Sequence, residues 1–194
     1  IFFDFDPYLQ EKLMKLRETV STHNDLEKNL KEINEIEKEF TLFIGQKLNK
    51  IISSYEKKID IIGFHGQTIF HDSDKKISKQ LGDGKLLSQL TKKKVIYNFR
   101  KNDLENGGQG APLTPIFHNV LANKINKKFN LGFPINILNI GGISNVTTTV
   151  DEKDLWSIKK IFAYDIGPGN CLIDEWIRKN SKKKYDEEGL LARS

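Results

Sequence analysis

The chain contains one cysteine, Cys171, so no disulfide can form within it, and a reducing compartment is expected. Arginine is nearly as scarce, at four of the 31 basic residues, the rest being lysine. Arginine dominates bidentate contact with bases and phosphates, so the net charge of +5 does not argue for a nucleic-acid partner. The runs Lys92-Lys93-Lys94 and Lys182-Lys183-Lys184 read as solvated surface. No apolar run is long enough to span a bilayer and the first residues show no signal-peptide pattern, so no membrane partner is expected. The six-residue spacing of His65 and His71 fits no zinc pattern and Cys171 is distant, so no structural metal is expected. What is present is 194 residues at 38% hydrophobic, enough for one large domain or two small ones.

Asp6 and Pro7 read as an N-cap and a first helical position, with Leu9, Leu13, Leu16 and Val20 on one face. A longer helix is expected from Asn24 or Asp25 to about Tyr55, unless Gly45 interrupts it. Its buried stripe is Leu26, Leu30, Ile33, Ile36, Phe40, Phe43 and Leu48. Ile59-Asp60-Ile61-Ile62-Gly63-Phe64 is a buried strand by composition, and Val95 to Phe99 is another. Between them lie a turn at residues 80–84 and a short helix at 85–91. A helix follows at 115–124. The Lys-rich stretch 124–132 marks a boundary between residues 1–132 and 133–194. Beyond it, strands are expected at 134–140, 145–150 and 156–164, the first two joined by Gly141-Gly142 as a hairpin. A last helix opens near Gly167-Pro168-Gly169-Asn170. Two α/β halves are the coarse picture.

Four stretches can carry chemistry. In Asn98-Phe99-Arg100-Lys101-Asn102-Asp103-Leu104-Glu105-Asn106-Gly107-Gly108-Gln109-Gly110, a carboxylate follows a strand and precedes backbone that can approach a ligand closely. Asp103 is then either an acid–base group or a turn cap. Gly141, Gly142, Ser144 and Asn145 can wrap phosphate oxygens at a tight turn, or form an ordinary hairpin. Asp165, at a strand end before a helix, can orient a Mg²⁺–phosphate group or a sugar hydroxyl, or serve as a capping turn. His65 and Gln67 can contact a polar ligand, although a satisfied polar loop is the simpler reading.

Together these stretches resemble the anhydro-N-acetylmuramic acid kinases, bacterial sugar kinases. Gly63 to His71, Gln80 to Gly84, Asn98 to Asp103, Gly107 to Leu113, Leu138 to Asn145 and Asp165 to Asn170 occur in the family's order over nearly the whole chain. The resemblance implies a two-lobed actin/hexokinase-like ATPase fold, a cytoplasmic location and the family tendency to homodimerise. It implies ATP and Mg²⁺ as cofactors and an amino sugar as substrate. The 1,6-anhydro ring would be opened and O6 phosphorylated, in peptidoglycan recycling. Asp103 would be the general base. Arg100, Gly107, Gly108, Gln109, His65 and Gln67 would line the sugar side. Gly141, Gly142, Ser144, Asn145, Asp165, Gly167 and Gly169 would serve the phosphates.

The family also has an opening Gly-Thr-Ser-rich phosphate hairpin and later second-lobe strands, which this sequence does not show. The chain therefore resembles a middle portion of the enzyme. Alone, it is expected to be poorly stable and inactive. The alternative is a remnant that binds sugar or a partner chain without catalysis.

Overall fold

The computed structural model describes residues 3–150 and 161–193. Helix α1 (Pro7–Thr19) starts where Asp6 Oδ1 accepts hydrogen bonds from the amides of Tyr8 (3.0 Å) and Leu9 (3.2 Å). The long helix expected next is divided in two. Helix α2 (His23–Lys28) gives way to α3 (Leu30–Ser54) at Asn29, whose side-chain amide donates to Asp25 O (2.7 Å) and competes with the backbone ladder. Gly45 does not interrupt α3. It lets Leu90 approach, since a Cβ there would lie 2.7 Å from Leu90 Cδ1.

Strand β1 (Ile61–Phe64) is followed by a hairpin of β2 (Gln67–Asp72) and β3 (Ile77–Leu81), then α4 (Gly84–Thr91), β4 (Lys94–Tyr97) and α5 (Phe99–Glu105). β1 pairs parallel with β4, Ile61 opposite Lys94 and Phe64 opposite Tyr97. β2 and β3 pair antiparallel, with an irregularity at Ile69. That hairpin is a departure from the polar loop expected around His65 and Gln67. Asp83 caps α4 through the amides of Lys85 and Leu86. Helix α3 holds the turn before it: Glu37 Oε1 accepts from Gly82 N (3.0 Å) and from Lys79 Nζ (2.9 Å), and Thr41 Oγ1 accepts from Asp83 N (2.9 Å). The core gathers Leu9, Leu16 and Val20 with Ile33, Ile36, Phe40, Phe64, Ile69, Leu81 and Leu87. Burying each large side chain contributes about 1.5–3 kcal/mol, so this cluster holds the segment together.

Two compact units result, divided between Ala111 and Pro112. That is earlier than the polar stretch 124–132, because α6 (Thr114–Phe129) packs on the sheet that follows it. The sheet is a meander of β5 (Ile135–Ile140), β6 (Ile143–Thr149) and β7 (Ile161–Pro168), all antiparallel. The expected third strand began at Trp156, and positions 156–160 lie outside the described residues. Thr147 and Thr149 are buried, and His118 of α6 bonds through Nδ1 to Thr147 Oγ1 at 2.7 Å. Burial lowers the His118 pKa. Helix α7 (Cys171–Asn180) follows, and a short 3-10 helix spans Glu187–Gly189. The architecture is α/β. Among the described residues no helix is long and apolar enough to cross a membrane.

Candidate active site

Asp103 lies on α5, not at a strand end. The chain after Tyr97 turns into a helix at once, because Asn98 adopts a left-handed conformation (φ +61°) and its carbonyl accepts from Asn102 N. Helix α5 then ends in the glycines. Asp103 O accepts from Gly108 N (2.8 Å), and Asp103 Oδ2 accepts from Gly110 N (2.8 Å). A Cβ at Gly108 would overlap the Asp103 carboxylate, so this close approach requires glycine. The turn-capping role is therefore real, but it engages one carboxylate oxygen. Among the described residues Oδ1 has no hydrogen-bond partner, and the residue is half-buried.

Arg100, one turn earlier, joins this cluster. Its Nη1 donates to Gly110 O (2.7 Å) and its Nε donates to His65 Nε2 (3.0 Å). Partial burial lowers the pKa of its guanidinium, which stays charged. The structure thus brings together Asp103, Arg100, His65 and Gly108 from distant stretches. Gln109 is exposed and Gly107 sits at the helix end with φ +90°. Gln67 lies on β2, exposed, with only a long contact to Thr68 O (3.5 Å). His71 was framed in the sequence without being assigned a role. Its Nδ1 lies 3.0 Å from Ser78 Oγ across the hairpin, and its Cε1 would be 3.0 Å from a Cβ on Gly110.

The second unit holds the other predicted residues. Gly141 and Gly142 form the β5–β6 turn. Their carbonyls accept the first amides around α7: Asn170 N to Gly141 O (2.8 Å), Gly169 N to Gly142 O (2.9 Å) and Cys171 N to Gly142 O (3.3 Å). Those three amides are tied to the hairpin and are not available to an anion. A Cβ at Gly169 would overlap Gly141 O and lie 2.8 Å from Ser144 Oγ. Ser144 is buried under this turn.

Asp165 is inside β7, not at its end. It pairs with Asn145, and a bulge brings Gly167 opposite Ser144. Asn145 in turn pairs with Asn139. Register partners share a face, so Asn139, Asn145 and Asp165 make one polar row across three strands. With Thr147, Thr114 and Pro115 they line a cleft of about 290 Å³. Asn139 is the member that sequence reasoning missed. Its pairing partner was legible only once the hairpin register was fixed. Among the described residues no group of three or more His, Cys, Asp or Glu side chains could hold a metal ion.

The fold thus assembles two polar clusters, a carboxylate beside a glycine turn and a polar row beside a glycine hairpin. The family model described as Anhydro-N-acetylmuramic acid kinase matches residues 6–194. An anhydro-N-acetylmuramic acid kinase of Pelagibacter ubique is 48% identical over 190 residues, covering 97% of this chain and 48% of the relative. Relatives of the same name from Agrobacterium fabrum and Rhizobium etli are each 35% identical, covering 98% and 97% of this chain and 50% and 49% of their own lengths. The chain belongs to the anhydro-N-acetylmuramic acid kinase family. It spans about half the length of the curated relatives it matches.

Proposed function

We propose that this chain carries the base of a kinase that opens the 1,6-anhydro bridge of anhydro-N-acetylmuramic acid and phosphorylates O6 from ATP. Water attacks C1 and gives its proton to Asp103. The C1–O6 bond breaks, O6 takes the γ-phosphoryl group, and ADP leaves with N-acetylmuramic acid 6-phosphate as the other product. The observation that carries this reading is the Asp103 carboxylate, held at Oδ2 by Gly110 N–H while Oδ1 has no protein partner among the described residues. A general base needs an oxygen free to reach the proton it abstracts. Gly107, Gly108 and Gln109 lie on this turn and His65 bonds Arg100 beside it; with Gln67 they form the sugar side in this reading.

The phosphate side is the hairpin Gly141-Gly142 with Ser144, Asn145, Asp165, Gly167 and Gly169. The row Asn139, Asn145 and Asp165, which lines one cleft, would supply oxygen ligands to a Mg²⁺ ion arriving with nucleotide phosphates. Bound there, the ion would neutralise charge on the transferring group. The two-lobed actin/hexokinase-like architecture, the cytoplasmic location, the homodimer and the role in peptidoglycan recycling follow from family membership and belong to the same reading.

A second reading is a protein that binds sugar or a partner chain without catalysis. One experiment separates them. Protein, ATP and the anhydro sugar are incubated in ¹⁸O-water and the products are analysed by mass spectrometry. The kinase reading expects ADP and a sugar 6-phosphate labelled at C1. Sugar binding by calorimetry without ATP-dependent product is the second reading's result.

A further inference from the structure

Asp103 is aimed by a single hydrogen bond, and the donor of that bond is itself held. Gly110 N–H points to Asp103 Oδ2 (2.8 Å), while Gly110 O accepts from Arg100 Nη1 (2.7 Å). Arg100 Nε donates in turn to His65 Nε2 (3.0 Å). A guanidinium only donates, so His65 accepts at Nε2 and carries its proton on Nδ1. That proton fits the 2.9 Å contact to Gly66 O. A chain of bonds therefore runs from the end of β1 through Arg100 and Gly110 to the carboxylate.

Residue 110 is buried and has no room for a side chain. Its φ is +71°, and a Cβ would lie 2.9 Å from Leu104 Cγ and 3.0 Å from His71 Cε1. Leu104 is buried. Any shift of the Arg100 fork is thus passed to Gly110, and from its amide to Asp103.

We propose that Arg100 is a positioning residue for Asp103, acting through Gly110, and not a sugar ligand. This rests on the kinase reading above. The fork is what the role needs. Nε and Nη1 bond two acceptors in fixed relative directions, whereas a lysine ammonium is a point donor on a flexible stem. Misplacing a catalytic group by about 1 Å costs on the order of 100-fold in rate.

The test uses Arg100→Ala and Arg100→Lys, with two readouts. The first is amide hydrogen exchange at Gly110, with β6 amides as an internal reference. Both variants are expected to exchange at least about tenfold faster at Gly110 and unchanged in β6, as a lost tertiary hydrogen bond requires. The second is steady-state kinetics. Both variants should lose on the order of 100-fold in kcat, with KM for the sugar within about twofold. A large rise in KM with kcat kept, together with unchanged exchange at Gly110, would make Arg100 a sugar ligand and overturn the proposal. Unchanged exchange and unchanged kinetics would also overturn it. Failure of the underlying reading looks different: Asp103→Asn would then turn over like the parent, while Gly110 exchange would still respond to Arg100.

Discussion

Replacing Gly110 with alanine concentrates the logic of the Asp103 turn in one methyl group. At φ +71° an L-residue carries a left-handed penalty of about 1–2 kcal/mol. The new Cβ would also sit 2.9 Å from Leu104 Cγ and 3.0 Å from His71 Cε1. Leu104 is 2% exposed and cannot swing into solvent. Overpacking of this kind adds about 1–3 kcal/mol, for a total of about 2–5 kcal/mol. Thermal unfolding followed by circular dichroism should show Tm lower by on the order of 10 °C. Gly107→Ala is the control. It has φ +90° but nothing within 4 Å of its Cβ, so it should lose only the strain component of about 1–2 kcal/mol. Equal losses in the two variants would refute the claim that Gly110 is sterically locked. A Gly110→Ala protein as stable as the parent would refute both parts of the argument.

Other expectations follow from the same structure. Leu87→Ala, at a fully buried position of the first unit, should cost about 2–5 kcal/mol in denaturant unfolding; a loss below 1 kcal/mol would mean the α4 core is misplaced. Thr147→Val keeps the shape but removes the partner of His118 Nδ1, and should cost about 1–3 kcal/mol, against no loss if that contact is idle. The Asp25 carboxylate is held below its ordinary value of 3.8 by hydrogen bonds from the Thr22 side chain and backbone. A lowered folded value means its stabilisation is present above pH 3.8 and disappears as pH falls through the lowered value. Asp25→Asn should therefore lower stability at pH 7 and converge with the parent in strong acid; an equal loss at both pH values would contradict the linkage.

How far the sequence carried these conclusions depended on the range of the interactions involved. Caps and periodic faces are local, so Asp6 and Pro7 marked α1, and Ile33, Ile36 and Phe40 marked the buried stripe of α3. The break at Asn29 was illegible because it turns on one side-chain amide competing for a backbone carbonyl. The β2–β3 hairpin was hidden because its pairing joins residues about ten apart, with a bulge at Ile69 that disturbs the alternation. In the site, the residue types of the Asp103 run were readable, but the helix carrying Asp103 was not. Its start depends on the left-handed Asn98, a non-glycine exception. The meeting of Arg100 with His65 spans 35 positions and could come only from the fold. The row of Asn139, Asn145 and Asp165 likewise emerged from strand register.

The most direct test of the central claim is the rate of ATP-dependent sugar phosphorylation in the Asp103→Asn protein against the parent. Asparagine keeps an oxygen that can accept from Gly110 N–H and removes the basicity, so the turn should survive while the chemistry does not. In a protein of the relatives' full length that carries these residues, the account predicts a kcat lower by about 10²–10⁴ in the variant than in the parent. A variant that turns over as fast as an active parent would contradict it.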